Sequence, residues 1–246
     1  MSPDGPFPLL AAWRDQPAGT AADLLGGVKS LCIVAPHPDD ETLGCGLLLL
    51  AAAERGLPVT IVCMTDGSRS HPGSATWPAH RLAAERRLEL TRAVRCLAPA
   101  AKVVWLGYPD TGLPTDGPAL VAARGRLARH LPRRHGALIL TTWPHDPHGD
   151  HASTARLVQV ARGPDHPARL FHYPIWGRFL EHAPAPGFDR AFLVAGDTAA
   201  RARKRRALAC HRTQMSSLIG DDPEGFVMPE WMQEHFVEHP EIYLAA

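Results

Sequence analysis

The sequence predicts an α/β fold: a Rossmann-like, mainly parallel sheet with helices on both faces, followed by an irregular C-terminal third. Three observations point there. Short runs rich in β-branched and aromatic residues alternate with longer stretches whose apolar residues recur at helical spacing. The runs are almost continuously apolar, as strands covered on both faces are. Each is followed by a polar turn containing Gly or Pro, so strand, turn and helix succeed one another as parallel sheets require.

Taken in order, residues 1–27 are rich in proline and read as a leading arm, with one domain expected over 28–246. "LCIVA" (31–35) is the first strand, and "GLLLLAAAERG" is a helix that stops at a basic residue and a glycine. "VTIVCMT" (59–65) is the second strand, "AHRLAAERRLELTRAVRCL" the next helix and "KVVWLG" (102–107) the third strand. "ALVAARGRLARHL" is a helix that runs up to Pro132, and "ALILTTW" (137–143) is a fourth strand leading towards the helix "HASTARLVQVAR". "RLFHYPIW" and "RAFLVAG" are two further strands separated by the Pro-rich loop "EHAPAPGFD", and "TAARARKRRALACHRTQM" is a helix. The last stretch, "GDDPEGFVMPEWMQEHFVEHPEIYL", mixes aromatics with acids and is expected to fold over the site or to form a partner surface.

At 246 residues the chain can bury a substantial core. Its 26 basic and 25 acidic side chains leave a formal charge of +1, which gives no general attraction for nucleic acid or an anionic membrane. A small neutral or locally recognised ligand fits better. The five cysteines are widely spaced with no CxxC pair, and they read as small core residues in a reducing compartment. The N-terminus lacks a basic leader pattern, and the longest apolar run, "LLLLAAA", is too short to span a bilayer. A cytoplasmic protein with no transmembrane segment is therefore expected; its oligomeric state stays open, a homo-oligomer being compatible.

Residues with chemistry to offer gather at two places, each at the carboxyl end of an expected strand, where ligands collect in open parallel sheets. "PHPDD" (36–40) follows the first strand. Pro38 disfavours a helical conformation at His37, and Asp39, Asp40 and Thr42 are credible caps for the helix that follows. "PHDPHGDHAST" (144–154) follows the fourth strand and supplies His145, His148 and His151 with Asp146 and Asp150. Each motif alone has an ordinary reading, helix capping for the first and a solvated polar loop for the second. Together they meet the need of a divalent transition metal for imidazoles and a carboxylate from different loops, with one position left for water.

"APHPDDETLGCG" resembles the AHPDDE signature of the PIG-L/LmbE-like deacetylases, zinc enzymes that remove acetyl groups from N-acetylglucosamine-type substrates, and "HGDH" resembles their HxxH motif. Further marks fall in order: "TDG" at Thr65–Gly67; Arg86, Glu89, Ala93 and Leu97; "LGYPD" ending in Asp110; and Lys204, His211 and Gln214. The match runs from about residue 31 to 214. Pro36, Ala98 and Gly149 depart from it, standing where alanine, glycine and proline are usual.

The resemblance implies His37, Asp40 and His151 as metal ligands, Asp39 as general base, His148 as the group that stabilises the oxyanion or acts as an acid, and Arg86 and Asp110 as substrate-binding residues. Zinc is the implied cofactor, with ferrous iron also compatible. Two neutral imidazoles and one carboxylate leave a divalent ion with net positive charge, which lowers the pKa of bound water. The expected reaction is hydrolysis of the N-acetyl or N-acyl group of a small amino sugar or sugar conjugate.

Asp146 or Asp150 is expected to orient His148, and Glu41 to brace the turn. The basic run Lys204–Arg206 reads as a solvated helix face. Trp143, Trp176, Trp231 and Phe236 read as core or interface residues, with Tyr108 and Trp143 having the stronger claim to border the site. A non-haem Fe(II) oxygenase also uses two histidines and a carboxylate, but usually on a β-sandwich with His-x-Asp spacing. A nucleotide-binding module is weaker, since "GCG" completes no GxGxxG. A non-catalytic metal-binding protein would have no need of a free carboxylate beside the ligands.

Overall fold

The computed structural model describes residues 20–180 and 191–246. The strands are β1 (Ser30–Ala35), β2 (Val59–Thr65), β3 (Lys102–Tyr108), β4 (Ala137–Thr142), β5 (Arg169–Tyr173), β6 (Ala191–Val194) and β7 (Glu241–Ala245). The helices are α1 (Ala21–Leu24), α2 (Asp40–Glu54), α3 (Ala79–Leu97), α4 (Gly117–Ala128), α5 (Gly149–Arg162), α6 (Thr198–Leu208), α7 (Arg212–Met215) and α8 (Glu230–Glu238). They build a mixed seven-stranded sheet in the order β3-β2-β1-β4-β5-β7-β6, of which β1 to β5 are mutually parallel. Among the described residues no helix is long and apolar enough to cross a membrane.

β1 lies inside the sheet, between β2 and β4, and is buried at every position. Its residues alternate between two cores: Leu31 and Ile33 pack on the face carrying α2, α3, α6 and α8, and Cys32 and Val34 on the face carrying α4 and α5. This double burial explains why the strand reads as an unbroken apolar run. From β1 the chain winds outward through β2 and β3, then returns to lay β4 on the opposite flank of β1. The connections therefore diverge between β1 and β4, which opens a crevice at their carboxyl ends. Both histidine- and aspartate-bearing loops leave the sheet there.

The helix after β1 begins at Asp40, six residues earlier than its apolar run suggests. Asp39 stands at the capping position but makes no capping bond through its side chain. At the N-terminal end, Leu24 and Leu25 are part of the core, so ordered packing begins before the expected domain start at 28. Residues 1–19 of the proposed arm, and the Pro-rich loop at 181–189, lie outside the described residues.

Part of the C-terminal stretch folds over the site, as expected, with Glu224, Phe226 and Met228 lining the cavity there; its last residues are instead a strand. β7 inserts between β5 and β6, antiparallel to both, and its Ile242 and Leu244 pack with Trp143 and Leu193. Five residues are too short a run for alternation to stand out against the acidic, aromatic helix before them. Lys204 corrects a second expectation: far from being solvated, it is fully buried and pairs with Glu241 at 2.7 Å.

That ion pair enters the backbone of α2. Lys204 Nζ donates to the Leu43 carbonyl at 2.8 Å, while Glu241 accepts the N–H groups of Leu47 at 2.7 Å and Leu48 at 3.1 Å. Leu43 and Leu47 are the partners of one helical rung, so the pair serves both ends of it. A methyl group on Gly46 would stand 3.0 Å from Lys204 Cγ, which explains a glycine within this helix. Glu241→Ala should cost about 3–5 kcal/mol in denaturant unfolding, because it leaves a buried ammonium without its counter-charge. A loss under about 1 kcal/mol would show that the pair does not hold α2.

Candidate metal centre

His37 extends from the end of β1, and His151 lies in the first turn of α5 after β4. The crevice brings together His37 Nδ1, Asp40 Oδ2 and His151 Nε2, with separations of 3.3 Å from His37 to Asp40, 3.4 Å from His151 to Asp40 and 3.3 Å between the two imidazole nitrogens. Donors held about 2.0–2.1 Å from a tetrahedral cation stand about 3.3–3.4 Å apart, so the triangle has the dimensions such an ion requires. The three residues are buried, His151 completely. His148 joins His37 and His151 in a second grouping able to hold an ion, and Asp110 and Asp150 form a third with His37.

The outer nitrogens of the two inward-facing histidines meet carboxylates. His37 Nε2 lies 3.1 Å from Asp150 and 3.3 Å from Asp110. His151 Nδ1 lies 3.2 Å from Asp146 Oδ1, without the alignment of a hydrogen bond. A proton placed on each outer nitrogen leaves the inner one free to donate its lone pair, and carboxylates in this position commonly fix metal-binding imidazoles. Burial alone would lower the His37 pKa, but hydrogen bonds to Asp110, Asp150 and Asp40 outweigh it and hold the group well above the usual histidine value. Burial likewise opposes ionisation of Asp40, and His151 and His37 more than reverse the effect, placing its pKa below the usual carboxylate range. This excess of buried carboxylates attracts a cation, and the donor set fits one.

Asp146 and Asp150 therefore brace the other two histidines. Asp146 also accepts the N–H groups of Ile175 at 3.0 Å and Gly177 at 3.1 Å, which anchors the loop after β5. Asp150 accepts the Thr111 N–H at 2.8 Å. Thr111 has a φ of 57°, a left-handed conformation costly for a β-branched residue, at the point where its N–H meets Asp150. Neither carboxylate bonds the His148 ring, contrary to expectation. The backbone N–H of Asp150 donates to His148 Nδ1 at 3.2 Å, which makes His148 the cap of α5. With Nδ1 accepting, the neutral ring carries its proton on Nε2. Burial and the nearby His37 and His151 keep its pKa below the usual value, which favours the neutral ring over the imidazolium.

Asp39 is buried beside the triangle, and Arg86 from α3 donates to its Oδ2 at 3.0 Å. The same guanidinium donates to the carbonyls of Gly67 at 2.8 Å and Pro38 at 3.2 Å. Gly67 has φ 63°, and a methyl group there would fall 2.2 Å from Arg86 Nη1, so this turn needs glycine. Burial raises the Asp39 pKa to about 6 against the opposing pull of Arg86. The backbone N–H of Asp39 donates to Glu41, whose other oxygen lies 3.4 Å from His211 Nε2. Arg86 does not pair with the acids of its own helix, the ordinary expectation for its spacing.

A cavity of about 370 Å³ opens over these groups. His37, Asp39, Asp40, Arg86, Asp110 and His148 line its polar floor, and Leu43, Ile175, Trp176, Phe226 and Met228 line an apolar wall. Trp176 meets Phe226 edge to face at 5.5 Å. Trp176 thus borders the cavity instead of serving as a core or interface residue, and no periodicity marks it or Phe226, because both lie outside regular strands and α-helices. Trp143 is wholly buried away from the cavity, and Tyr108 packs under Arg126.

Fold and site together define an α/β protein with a histidine–aspartate metal-binding cluster at the switch point of its sheet. The chain belongs to the PIG-L family: the family model described as "GlcNAc-PI de-N-acetylase" matches residues 32–162. A probable N-acetyl-alpha-D-glucosaminyl L-malate deacetylase 2 of Bacillus anthracis is 30% identical over 138 residues, covering 54% of this chain and 59% of that protein. The chain spans little more than half the length of the curated relatives it matches. N,N'-diacetylchitobiose deacetylase from Pyrococcus horikoshii shares the fold with a TM-score of 0.64 and 22% identity, over 92% of this chain and 90% of that one. GalB, the 4-carboxy-2-hydroxymuconate hydratase of Pseudomonas putida KT2440, shares it with a TM-score of 0.60 and 21% identity, over 85% and 83%. A deacetylase and a hydratase thus occupy one fold, and the reaction has to be read from the site.

Proposed function

We propose that this protein is a metal-dependent hydrolase that removes an acetyl or related linear acyl group from the nitrogen of a small amino sugar or sugar conjugate. The observation that carries the reading is the triangle of His37 Nδ1, Asp40 Oδ2 and His151 Nε2 with a further buried carboxylate, Asp39, beside it. Those three residues would hold the cation, zinc or ferrous iron, since either accepts this donor set. When bound, such an ion supplies Lewis acidity to the acyl carbonyl and eases deprotonation of water.

Asp39 takes the proton of the attacking water and passes it to the departing amine. Arg86 positions it by holding one oxygen, so Arg86 serves the substrate through Asp39. His148 offers its Nε2–H to the acyl oxygen as the carbonyl carbon becomes tetrahedral. Asp110 keeps lone pairs for a sugar hydroxyl at the cavity floor, and Trp176 and Phe226 give the sugar ring or acyl chain an apolar face. The names of the relatives, an N-acetylglucosaminyl malate deacetylase and a diacetylchitobiose deacetylase, support an N-acetylated sugar as the substrate.

The test is elemental analysis of the purified protein, followed by an amine-release screen over N-acetylated sugars with and without a chelator. Chelator-sensitive amine release is the expected result. Oxygen consumption without amine release would instead mark an Fe(II) oxygenase, and bound metal without turnover a binding protein. His148→Ala should lower kcat by about 10²–10³ with the metal retained. Less than a tenfold loss would remove the ring from the oxyanion's surroundings.

A further inference from the structure

The five cysteines are not all the core residues that the sequence leads one to expect. Cys32, Cys45 and Cys63 are buried within the two cores. Cys96 is exposed at the end of α3, Cys210 is half-buried in the corner between α6 and α7, and their Sγ atoms lie 3.9 Å apart across 114 residues of chain. We propose that Cys96 and Cys210 form a reversible dithiol/disulfide site that locks α3 to the α6–α7 corner.

The seam is already held in register from both sides. Glu89, two helical turns before Cys96, accepts the N–H of Thr213 at 2.9 Å and its hydroxyl at 2.6 Å. Arg203 of α6 donates to the Cys96 carbonyl at 3.3 Å. The thiols thus meet at hydrogen-bonding distance between backbones tied independently of them, the starting arrangement a disulfide needs. Cys96 is open to a low-molecular-weight disulfide such as oxidised glutathione, because its side chain is exposed.

The chemistry balances in two exchanges. The Cys96 thiolate attacks one sulfur of oxidised glutathione, forming a mixed disulfide and releasing one glutathione thiol. Cys210 then loses its proton and attacks the Cys96 sulfur, releasing the second glutathione and closing the bond. Two protein thiols are oxidised and one glutathione disulfide is reduced. The order follows from exposure, Cys96 being the sulfur that solvent reaches. Burial, reinforced by Cys96, pushes the Cys210 thiol up to about 11, which makes it the poorer first nucleophile; in the second step the adjacency of the Cys96 sulfur offsets its small thiolate fraction.

The experiment is mass spectrometry with peptide mapping under non-reducing conditions, on the full chain incubated with oxidised glutathione. The wild type should lose two hydrogens, yield a single cross-linked pair of peptides containing Cys96 and Cys210, and return to the starting mass with dithiothreitol. Cys210→Ser should accumulate glutathione on Cys96, and Cys96→Ser should form no cross-link. Oxidised wild type should melt several degrees above its reduced form, a shift absent in Cys96→Ser. A glutathione adduct that persists on wild-type Cys96, a cross-link between chains, or no reaction at all would overturn the proposal.

Discussion

Asp39→Asn should retain its metal and lose kcat by about 10²–10⁴, the range that general-base catalysis supplies. This equals about 3–5 kcal/mol of barrier. The substitution keeps the size of the side chain and an oxygen for Arg86, but removes the proton acceptor. Arg86 still donates to the Gly67 and Pro38 carbonyls, so the turn should persist even though a buried guanidinium loses its counter-charge. Metal stoichiometry and melting midpoint, measured on the same preparation, separate loss of the base from loss of the site. A near wild-type rate would reject Asp39 as the base.

His151→Ala should lose metal and turnover together. His151 contributes one corner of the donor triangle, and its complete burial keeps bulk water from readily taking its place. His37 and Asp40 alone leave a divalent ion with two protein ligands, fewer than catalytic sites of this type retain. Asp146 should still anchor the loop after β5 through its bonds to Ile175 and Gly177, so the fold should survive. Elemental analysis alongside the amine-release assay checks both effects. Full metal content in the variant would exclude His151 from the ligand set and return attention to His148.

Much of the sheet was legible because its inner strands are buried on both faces and the longest helix, α3, is amphipathic. The helix over 79–97 has the bounds its apolar spacing indicates, and the runs at 31–35, 59–65 and 137–143 each form a strand. Other features left no such trace. β7 is short and pairs with strands distant in sequence. Lys204 sits in a basic run that looks like any solvated helix face, and its inward position depends on Glu241 of β7 and the Leu43 carbonyl, both distant in sequence.

The candidate site divides in the same way. Two dense clusters of histidine and aspartate, each after an apolar run, were visible as motifs, since ligand type and strand-end position are local properties. Which atoms meet was not, because separation in space between residues 37 and 151 depends on β4 returning beside β1. That topology sets the inward nitrogens, assigns Asp146 and Asp150 to His151 and His37, and turns Arg86 onto Asp39. Composition and periodicity thus determined the layers and the donor types. Long-range strand order decided which donors share a point, because the packing that drives it is a sum over the whole core and is written in no single segment.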